Sequence, residues 1–548
     1  MNRLFVSAII TTFLFSLTAC AGSPAKSEGD NNSQSKGLSS WNETAGKYEP
    51  KITLTVGTAE SDPSSEKIDG QTQEDNVWID AYRDDLGINF EDMFVVSSAQ
   101  LEEKLNLQIA SGQIPDLMAV NRKQFEMLVK SGLAADLTEV YEKYASEKTK
   151  KFLVADSGIC MDMSKINGTL YALPATQGYL ESAGVVTWLR KDWLDKLKLE
   201  VPKNFDDLYK VMKAFTNDDP DGNGAKDTYA FTTSNSLDEL IGLFDSFGSH
   251  PKSWVKNANG EIVYGGTQPE TKAALAFLNK AFNEGLINRE FGANDWNQFT
   301  KAIDSSKVGV AWLPWYAVDW PLGASHREMG AEWIPLKIYG ADGGDAKVMG
   351  VAGPDTYYVI RKGYEHPEAI VKMFNLWFEK AYGSKENILK YHKNEKGEMP
   401  AKFSQVKPWL AHEDIGYYLK IQDKMAGKDV GEMSPSNEMY YEGVMRYIKN
   451  PTEDDYITYK MYGPDSASGI LNYYMKNNLV LQEEYFSTGT ETMRKKWGVL
   501  ETKKLEVYVK IIMGAAPIDA FDDFVKDWDA SGGQQIVKEV RESVQQNK

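Results

Sequence analysis

Oxygen-bearing side chains recur at alternate positions in residues 217–230, which read NDDPDGNGAKDTYA. They belong to Asp219, Asp221, Asn223 and Asp227. Gly222 and Gly224 lie between them and allow a tight turn. Calcium takes about six to eight oxygen ligands and is held by loops of this kind. The spacing indicates a cation-binding loop and leaves open a calcium sensor, a metal enzyme or a structural ion.

The end of this loop argues against a sensor. An EF-hand closes with a glutamate at its twelfth position, and Ala230 stands there in this chain. No second EF-hand loop follows, so no pair of helices is available to open on calcium binding. A polar Asx-Gly turn without a metal is the simplest alternative.

The N-terminus has the pattern of an export signal. Arg3 precedes an apolar run over residues 4–17, which is shorter than the roughly 20 residues that span a bilayer. The sequence LTAC at residues 17–20 resembles the lipobox of bacterial lipoproteins, in which Cys20 is lipidated. An ordinary secretory signal with a chance cysteine is the alternative. We predict a lipoprotein signal peptide over residues 1–20 and a flexible, polar tether over residues 21–50.

Cysteine content and charge exclude several classes of protein. After Cys20 the chain holds only Cys160, so neither a disulfide framework nor a cysteine zinc site is possible. We expect Cys160 to be a small buried hydrophobe. The net charge of −18 argues against a nucleic-acid partner. The 14 tryptophans, 28 tyrosines and 22 phenylalanines suit carbohydrate or peptide recognition as well as core packing.

Periodicity predicts strands that alternate with helices, an α/β architecture. Strands are predicted near residues 51–59, 116–120, 307–314 and 355–360, and a hairpin at Asn167-Gly168. Leu101, Leu105 and Ile109 indicate one helix. A second helix is expected after the N-cap residue Asn204, with Asp207 at the capping-box position. About 500 residues after the tether require more than one core, and we expect two lobes.

Several stretches match one family in order. They are SGQIPDLMAVN, GLAADLTEVYEKY, INGTLYALPATQG, VVTWLRKDWLDKLKLEVPKNFDDLYKVMKAF, DPDGNGAKDTYAF, NEGLINREF and SSKVGVAWLPWY. Through them the chain resembles family 1 of the extracellular solute-binding proteins, the lipid-anchored receptors of bacterial ABC importers. Within that family it resembles the long, calcium-containing oligosaccharide binders, such as the alginate-binding proteins and the LplA-like lipoproteins. The resemblance runs from about residue 50 to at least residue 375.

This resemblance implies a fold and a function. The fold is the two-lobe periplasmic-binding-protein type, with an interlobe cleft and a hinge. Residues 51–165 would begin lobe 1, residues 166–345 would form mainly lobe 2 with the calcium loop at 219–230, and residues 346–548 would be shared. The protein would be a monomeric receptor, not an enzyme, anchored by its lipid to the extracytoplasmic face of the cell membrane. It would close around a carbohydrate, expected to be an oligosaccharide, and deliver it to ABC permease subunits.

The resemblance also implies a structural calcium ion at the loop. Side-chain oxygens would come from Asp219, Asp221, Asn223 and Asp227, and a backbone carbonyl from Ala225. Because Ala230 departs from the pattern, the last ligand is left open between Thr228, another side chain and water.

Solute-binding residues are expected on loops that follow strands and face the cleft. By position they are Glu60, Asn121, Gln177, Tyr179, Trp315 and Tyr316, with Trp320 nearby. Trp188 and Arg190 lie on a strand that the family often points at the cleft. Trp188 could instead be a core residue, and Arg190 could pair with a carboxylate. Trp193 and Trp312 are expected in the core, and Trp254 and Trp296 are further candidates.

Two other functions are compatible with an exported, acidic and aromatic-rich protein. An exported carbohydrate-active enzyme needs two carboxylates across a cleft, and no motif isolates such a pair among 79 acidic residues. A lipid-anchored solute sensor for a membrane kinase shares the fold, so the sequence does not separate it from an import receptor.

Overall fold

The structure is a computed structural model that describes residues 40–59, 68, 70–156, 158–176, 184–350, 353–394, 398–431, 433–485 and 489–546. Four predicted functional residues lie outside this range, namely Cys20, Glu60, Gln177 and Tyr179, as does the predicted signal peptide. Within the range, no helix is both long and apolar enough to cross a membrane.

Sixteen strands are found in the described part of the chain. They are β1 Ser40–Asn42, β2 Lys47–Glu49, β3 Ile52–Ala59, β4 Ile88–Val96, β5 Leu117–Val120, β6 Lys165–Ile166, β7 Thr169–Leu170, β8 Leu173–Pro174, β9 Val185–Arg190, β10 Trp254–Lys256, β11 Ile262–Tyr264, β12 Val310–Pro314, β13 Trp333–Leu336, β14 Val348–Gly350, β15 Tyr357–Ile360 and β16 Val480–Gln482.

Helices connect and cover these strands. They are α1 Val77–Ala81, α2 Ser98–Ser111, α3 Arg122–Lys130, α4 Thr138–Tyr144, α5 Glu147–Leu153, α6 Ile159–Met163, α7 Lys191–Leu197, α8 Phe205–Asn217, α9 Ile241–Ser246, α10 Pro269–Asn283, α11 Trp296–Asp304, α12 Leu322–Met329, α13 Ala369–Ala381, α14 Lys385–Asn387, α15 Glu413–Met425, α16 Pro435–Lys449, α17 Glu453–Tyr462, α18 Ala467–Lys476, α19 Glu491–Ile512, α20 Ala520–Trp528 and α21 Gln534–Gln546. Short 3₁₀ turns lie at residues 238–240, 265–267, 291–293 and 400–403, and π turns at 82–86, 388–392 and 529–533.

The first lobe is built from two separate parts of the chain. Its buried apolar residues come from residues 48–175 and 357–406. The parallel pair β3–β4 and the antiparallel sheet β5–β15–β8 form its centre. Trp78 stacks on Trp377 inside this core, with ring centroids 4.9 Å apart, which joins α1 to α13.

The second lobe also draws on two parts of the chain. Its buried apolar residues come from residues 186–348 and 415–540. At its centre lies the antiparallel sheet β12–β9–β13, with β14 and β16 paired in parallel beside it. Helices from the C-terminal third complete this core, since Tyr456, Leu471 and Trp528 are all buried in it.

The described chain therefore changes lobe three times: it belongs to lobe 1 up to residue 176 and to lobe 2 from residue 184, to lobe 2 up to residue 350 and to lobe 1 from residue 353, and it returns to lobe 2 near residues 411–412. The described flanks of these crossovers touch one another. Thr176 donates its hydroxyl to the Trp409 carbonyl (2.6 Å), and the Ala175 amide donates to the Thr356 carbonyl (2.9 Å). Lobe 1 extends beyond residue 165, because β8 pairs with β15 and buries Leu173. Three adjacent crossovers are the arrangement that a hinge requires.

Local predictions from the sequence agree with the structure. Asn204 caps α8 by accepting a hydrogen bond from the Asp207 amide (2.9 Å). Asn167 and Gly168 form the β6–β7 hairpin with left-handed backbone angles. Cys160, Trp193 and Trp312 are buried, as expected.

Candidate solute site between the lobes

A turn at residues 315–320 lies at the hinge end of the lobe 2 sheet. β12 ends at Pro314, which pairs with Val185 at the start of β9. The Trp315 amide donates to the Gly184 carbonyl (3.1 Å), immediately after the first crossover. The turn therefore sits where the chain enters lobe 2 from lobe 1, beside the interlobe cleft.

Three tyrosines from the C-terminal helices form a cluster that contacts this turn through Tyr462. The Tyr440 ring lies 4.6 Å from Tyr462 and 5.3 Å from Tyr417, and Trp315 lies 6.2 Å from Tyr462. These rings come from α15, α16 and α17, which pack against one another. Their association places aromatic groups that are distant in sequence around one space.

Two carboxylates in the first turn of α15 lie among these rings. Tyr462 donates its hydroxyl to Asp414, and Tyr417 donates to Glu413. Tyr382, from lobe 1, also donates to Glu413 (3.0 Å), so this carboxylate joins the two lobes. Burial raises the pKa of Glu413 to about 8 and that of Asp414 to about 6. Both residues keep some exposure to solvent, as groups at the bottom of a cleft do.

Lobe 1 contributes a cation to the same space. The Lys393 ammonium lies 5.6 Å from the centre of the Tyr440 ring. The pKa of Lys393 is raised, chiefly by Tyr440 and further by the nearby charges of Asp319 and Asp414, against the effect of burial. We call the set Trp315, Lys393, Glu413, Asp414, Tyr417, Tyr440 and Tyr462 the floor of the site.

Exposed aromatic rings continue outward from the floor. Tyr316 is 39% exposed and Trp320 is 59% exposed, both on the 315–320 turn. The Trp320 ring lies 5.4 Å from Trp296, at the start of α11. We call Asp295, Trp296, Tyr316, Asp319 and Trp320 the rim. Flat rings beside carboxylates can cover the apolar faces of a sugar and accept hydrogen bonds from its hydroxyls.

The turn residues predicted from sequence differ in exposure. Tyr316 is exposed, as expected for a ring that contacts a solute. Trp315 is only 4% exposed, because residues from α17, more than 130 positions later in the chain, pack over it. Trp315 can therefore contribute to the floor of the site but is also part of the lobe 2 core.

Two residues predicted to bind the solute, Trp188 and Arg190, are enclosed in lobe 2, and their contact with a solute stays a prediction. Trp188 is fully buried in the lobe 2 core and donates its indole N–H to the Pro314 carbonyl (3.1 Å). Arg190 is 3% exposed, pairs with Asp192 (2.6 Å) and donates to the Ser306 hydroxyl (2.6 Å). Arg190 ends β9, about 17 Å along the strand from the end that adjoins the cleft. Secondary-structure elements on both faces of the β12–β9–β13 sheet bury these two side chains.

Asn121 has a structural role in lobe 1. It caps α3, accepting a hydrogen bond from the Gln124 amide (2.9 Å), while the Gln124 side chain accepts from the Asn121 amide (3.2 Å). It follows β5 directly, as predicted, and is partly exposed. Glu60, Gln177 and Tyr179 lie outside the described residues and stay predictions.

Most of the floor was missed by the sequence analysis. Lys393, Glu413, Asp414, Tyr417, Tyr440 and Tyr462 belong to no motif and are spread over 70 positions. One signal was present in the sequence, namely the density of tyrosines between residues 417 and 474, in GYYL, MYYEG, YITYKMYG and NYYM. A tyrosine combines an apolar ring with a hydroxyl, so a cluster of tyrosines in consecutive helices suits a site with one apolar and one wet side.

The side chains of the predicted calcium loop are drawn together. The side-chain amide of Asn223 donates hydrogen bonds to the carboxylates of Asp221 (2.9 Å) and Asp227 (3.1 Å). The Asp219 carboxylate accepts backbone N–H groups from residues 222, 223 and 224, which lowers its pKa against the effect of burial. The Lys307 ammonium bridges Asp221 (3.1 Å) and Asp227 (2.6 Å). The metal ligands that these side chains could offer are oxygen atoms, the type that calcium requires.

The loop does not form a complete metal site. Within the described ranges, no three His, Cys, Asp or Glu side chains come together closely enough to hold a metal ion. Thr228 is buried and donates its hydroxyl to the Phe215 carbonyl (2.8 Å). Ala230 is also buried, and its amide donates to the Thr216 hydroxyl (3.0 Å).

Known proteins resemble this chain in sequence and in fold. The polygalacturonan/rhamnogalacturonan-binding protein YtcQ of Bacillus subtilis is 25% identical over 83% of this chain and 86% of its own length. Lipoprotein LipO of the same organism is 30% identical over 39% of this chain and 42% of its own length. The Streptococcus pneumoniae substrate-binding protein FusA, solved with kestose, covers 90% of this chain and 99% of its own with a TM-score of 0.59 and 20% identity. A FusA EF-hand mutant, solved with fructo-nystose, matches equally well.

The family comparison excludes one of the functional classes considered above. The profile of the bacterial extracellular solute-binding proteins matches residues 40–383, well over half of the chain. This family and the relatives named above are binding proteins, which excludes the enzyme alternative. The two-lobe fold predicted from the sequence is likewise confirmed. The chain therefore belongs to the bacterial extracellular solute-binding protein family.

Proposed function

We propose that this protein is the receptor of an ABC importer and that it captures an oligosaccharide between its lobes. The observation that carries the proposal is the floor, where four aromatic rings surround two carboxylates at the junction of the lobes. Aromatic faces supply apolar contact area at a low entropic cost, and carboxylates accept hydrogen bonds from sugar hydroxyls.

Closure of the hinge would complete the site. Tyr382 and Lys393 belong to lobe 1, whereas Glu413 and Tyr440 belong to lobe 2, and these four groups already meet across the junction. Movement of one lobe toward the other would bring further lobe 1 groups over a bound sugar, and we propose Glu60, Gln177 and Tyr179 for that role. The closed form, with both lobes engaged, is the form that the permease subunits would bind.

A thermal-shift screen of the purified protein tests the proposal. The panel would contain fructo-, malto-, xylo- and galacto-oligosaccharides together with oligogalacturonates and dipeptides. A ligand present at about a hundred times its Kd should stabilise the protein by about 2.7 kcal/mol. Stabilisation by dipeptides and by no sugar would contradict the proposal. Uptake of the sugar that binds, in cells with and without the receptor, then separates import from sensing.

We propose further that Cys20 carries a lipid that anchors the protein at the extracytoplasmic face of the cell membrane. The lipobox sequence LTAC and the similarity to Lipoprotein LipO support this location.

We also propose that residues 219–227 hold a structural calcium ion. Asp219, Asp221, Asn223 and Asp227 would supply side-chain oxygens and Ala225 a carbonyl. Hydrogen bonds hold Asp221, Asn223 and Asp227 within one group, and the two carboxylates already attract the Lys307 ammonium, which supports a preference for positive charge at this loop. The loop lies at the end of α8, so an ion there would stabilise lobe 2 without entering the cleft.

A further inference from the structure

Two exposed tryptophans form a pair at the rim. Trp320 is 59% exposed, Trp296 is 37% exposed, and their rings lie 5.4 Å apart at an angle of 45°. Trp296 is held by α11, whose N-cap Asp295 accepts from the Gln298 amide, and by contact with Phe299 at 5.2 Å. Adjacent exposed indoles on well-ordered elements form an apolar surface that usually has a ligand or a partner.

The pair is continuous with the floor of the proposed sugar site. Trp320 closes the same six-residue turn that begins with Trp315, and Tyr316 lies between them with its ring 5.9 Å from Trp315. Asp319, next to Trp320, is close enough to Lys393 to raise the pKa of that ammonium. A molecule bound at the floor and longer than one or two units would therefore extend over the rim.

The charges along this path have one dominant sign. Asp295 and Asp319 stand at the rim and Asp414 at the floor, and Lys393 is the cation that opposes them within these two sets. Glu413, whose pKa burial raises to about 8, is protonated at neutral pH and adds no negative charge. Arg190, which would have suited an acidic sugar, is committed to Asp192 in the core. Like charges about 4 Å apart repel one another in water and repel more strongly in a cleft, where water screens them less. A polyuronate, with one carboxylate on each unit, would meet this repulsion repeatedly.

We propose, resting on the function proposed above, that the solute is an uncharged oligosaccharide and that Trp296 and Trp320 form an outer subsite for its distal units. Trp315, Tyr440 and Tyr462 would hold the inner units. The assignment separates this chain from its relative YtcQ, whose name gives polygalacturonan, a chain of uronate units.

Isothermal titration of the full-length protein with two matched series tests this proposal. One series contains neutral fructo-, malto- and galacto-oligosaccharides of two to six units, and the other contains oligogalacturonates of the same lengths. We expect affinity to rise with length in a neutral series and the oligogalacturonates to bind at least tenfold more weakly. Trp320→Ala should weaken the binding of the longest sugars by about three- to tenfold and leave the Kd for the disaccharide unchanged. Trp320→Phe should recover part of the loss.

Val499→Ala is the matched control, since Val499 is 75% exposed on α19 and lies outside the floor and the rim. Tighter binding of the uronates would overturn the charge argument. Equal losses for short and long sugars, or unchanged binding of both in Trp320→Ala and Trp296→Ala, would overturn the outer subsite. Impaired uptake with unchanged binding would overturn it as well and assign the pair to the permease. Failure of every sugar in both series to bind would instead refute the proposed function.

Discussion

Replacement of Glu413 by glutamine should change how the stability of the protein depends on pH. The substitution keeps the size of the side chain and removes its titrating proton. In the wild type, burial raises the pKa of Glu413 from an ordinary value near 4.5 to about 8, and the acid also accepts hydrogen bonds from Tyr382 and Tyr417. Between these two pKa values the folded state binds more protons than the unfolded state. The free energy of unfolding of the wild type must therefore fall as the pH rises through that window.

The magnitude follows from proton linkage. A difference of one bound proton corresponds to about 1.4 kcal/mol for each pH unit, or about 4 kcal/mol between pH 5 and pH 8. Glu413 keeps some contact with solvent, and its titration is shared with Asp414, so we expect about half of this value. The wild type should thus lose about 2 kcal/mol relative to Glu413→Gln over this range.

Urea unfolding followed by tryptophan fluorescence, at pH 5, 6.5 and 8, measures this difference. Glu103→Gln changes an exposed position on α2 and is the control. Its free energy of unfolding should change with pH in parallel with that of the wild type. The difference between Glu413→Gln and the wild type should grow steadily with pH. Parallel curves for all three proteins would mean that Glu413 is ionised in the folded state at neutral pH, and the account of the floor would be wrong.

Four further predictions concern other parts of the molecule. Arg190→Ala should lower the free energy of unfolding by about 3 kcal/mol, because it leaves Asp192 without its partner, and should not change the Kd of folded protein for the solute, measured by titration calorimetry. Trp315→Ala should cost about 3–5 kcal/mol of stability, because the ring is buried, and should weaken solute binding by at least tenfold; stability at the wild-type level would contradict its place in the core. Calcium at about a hundred times its Kd should raise stability by about 2.7 kcal/mol in thermal-shift measurements without changing solute affinity, and Asp221→Asn should reduce that gain. Cys20→Ser should leave the protein uncleaved or release it into the medium, as membrane fractionation with immunoblotting would show; wild-type processing and location would refute the lipobox.

Much of the local structure could be predicted because it depends on residues close together in the chain. The Asn204 cap, the Asn167-Gly168 hairpin and the turn of the 219–227 loop each use hydrogen bonds that span five residues or fewer. Burial of Trp193 and Trp312 followed from apolar neighbours in the same element. The family, too, could be identified from ordered local motifs, and the profile match confirms it.

The composition of the site was decided by tertiary structure. Trp188 and Arg190 lie on a correctly predicted strand, but only the sheet order β12–β9–β13 and the helices around it determine that both side chains are enclosed. Trp315 was correctly placed after its strand, yet its burial depends on Tyr462, 147 positions away. Glu413 acquires its raised pKa from burial at the crossover and from the neighbouring charge of Asp414, against the hydrogen bonds that it accepts from Tyr417 and Tyr382. The sequence by itself determined where the chain forms strands, caps and turns, because near neighbours set those energies. Only the packing of distant segments decided which rings and carboxylates share the cleft, because side-chain direction and burial depend on register and on elements far away in the chain.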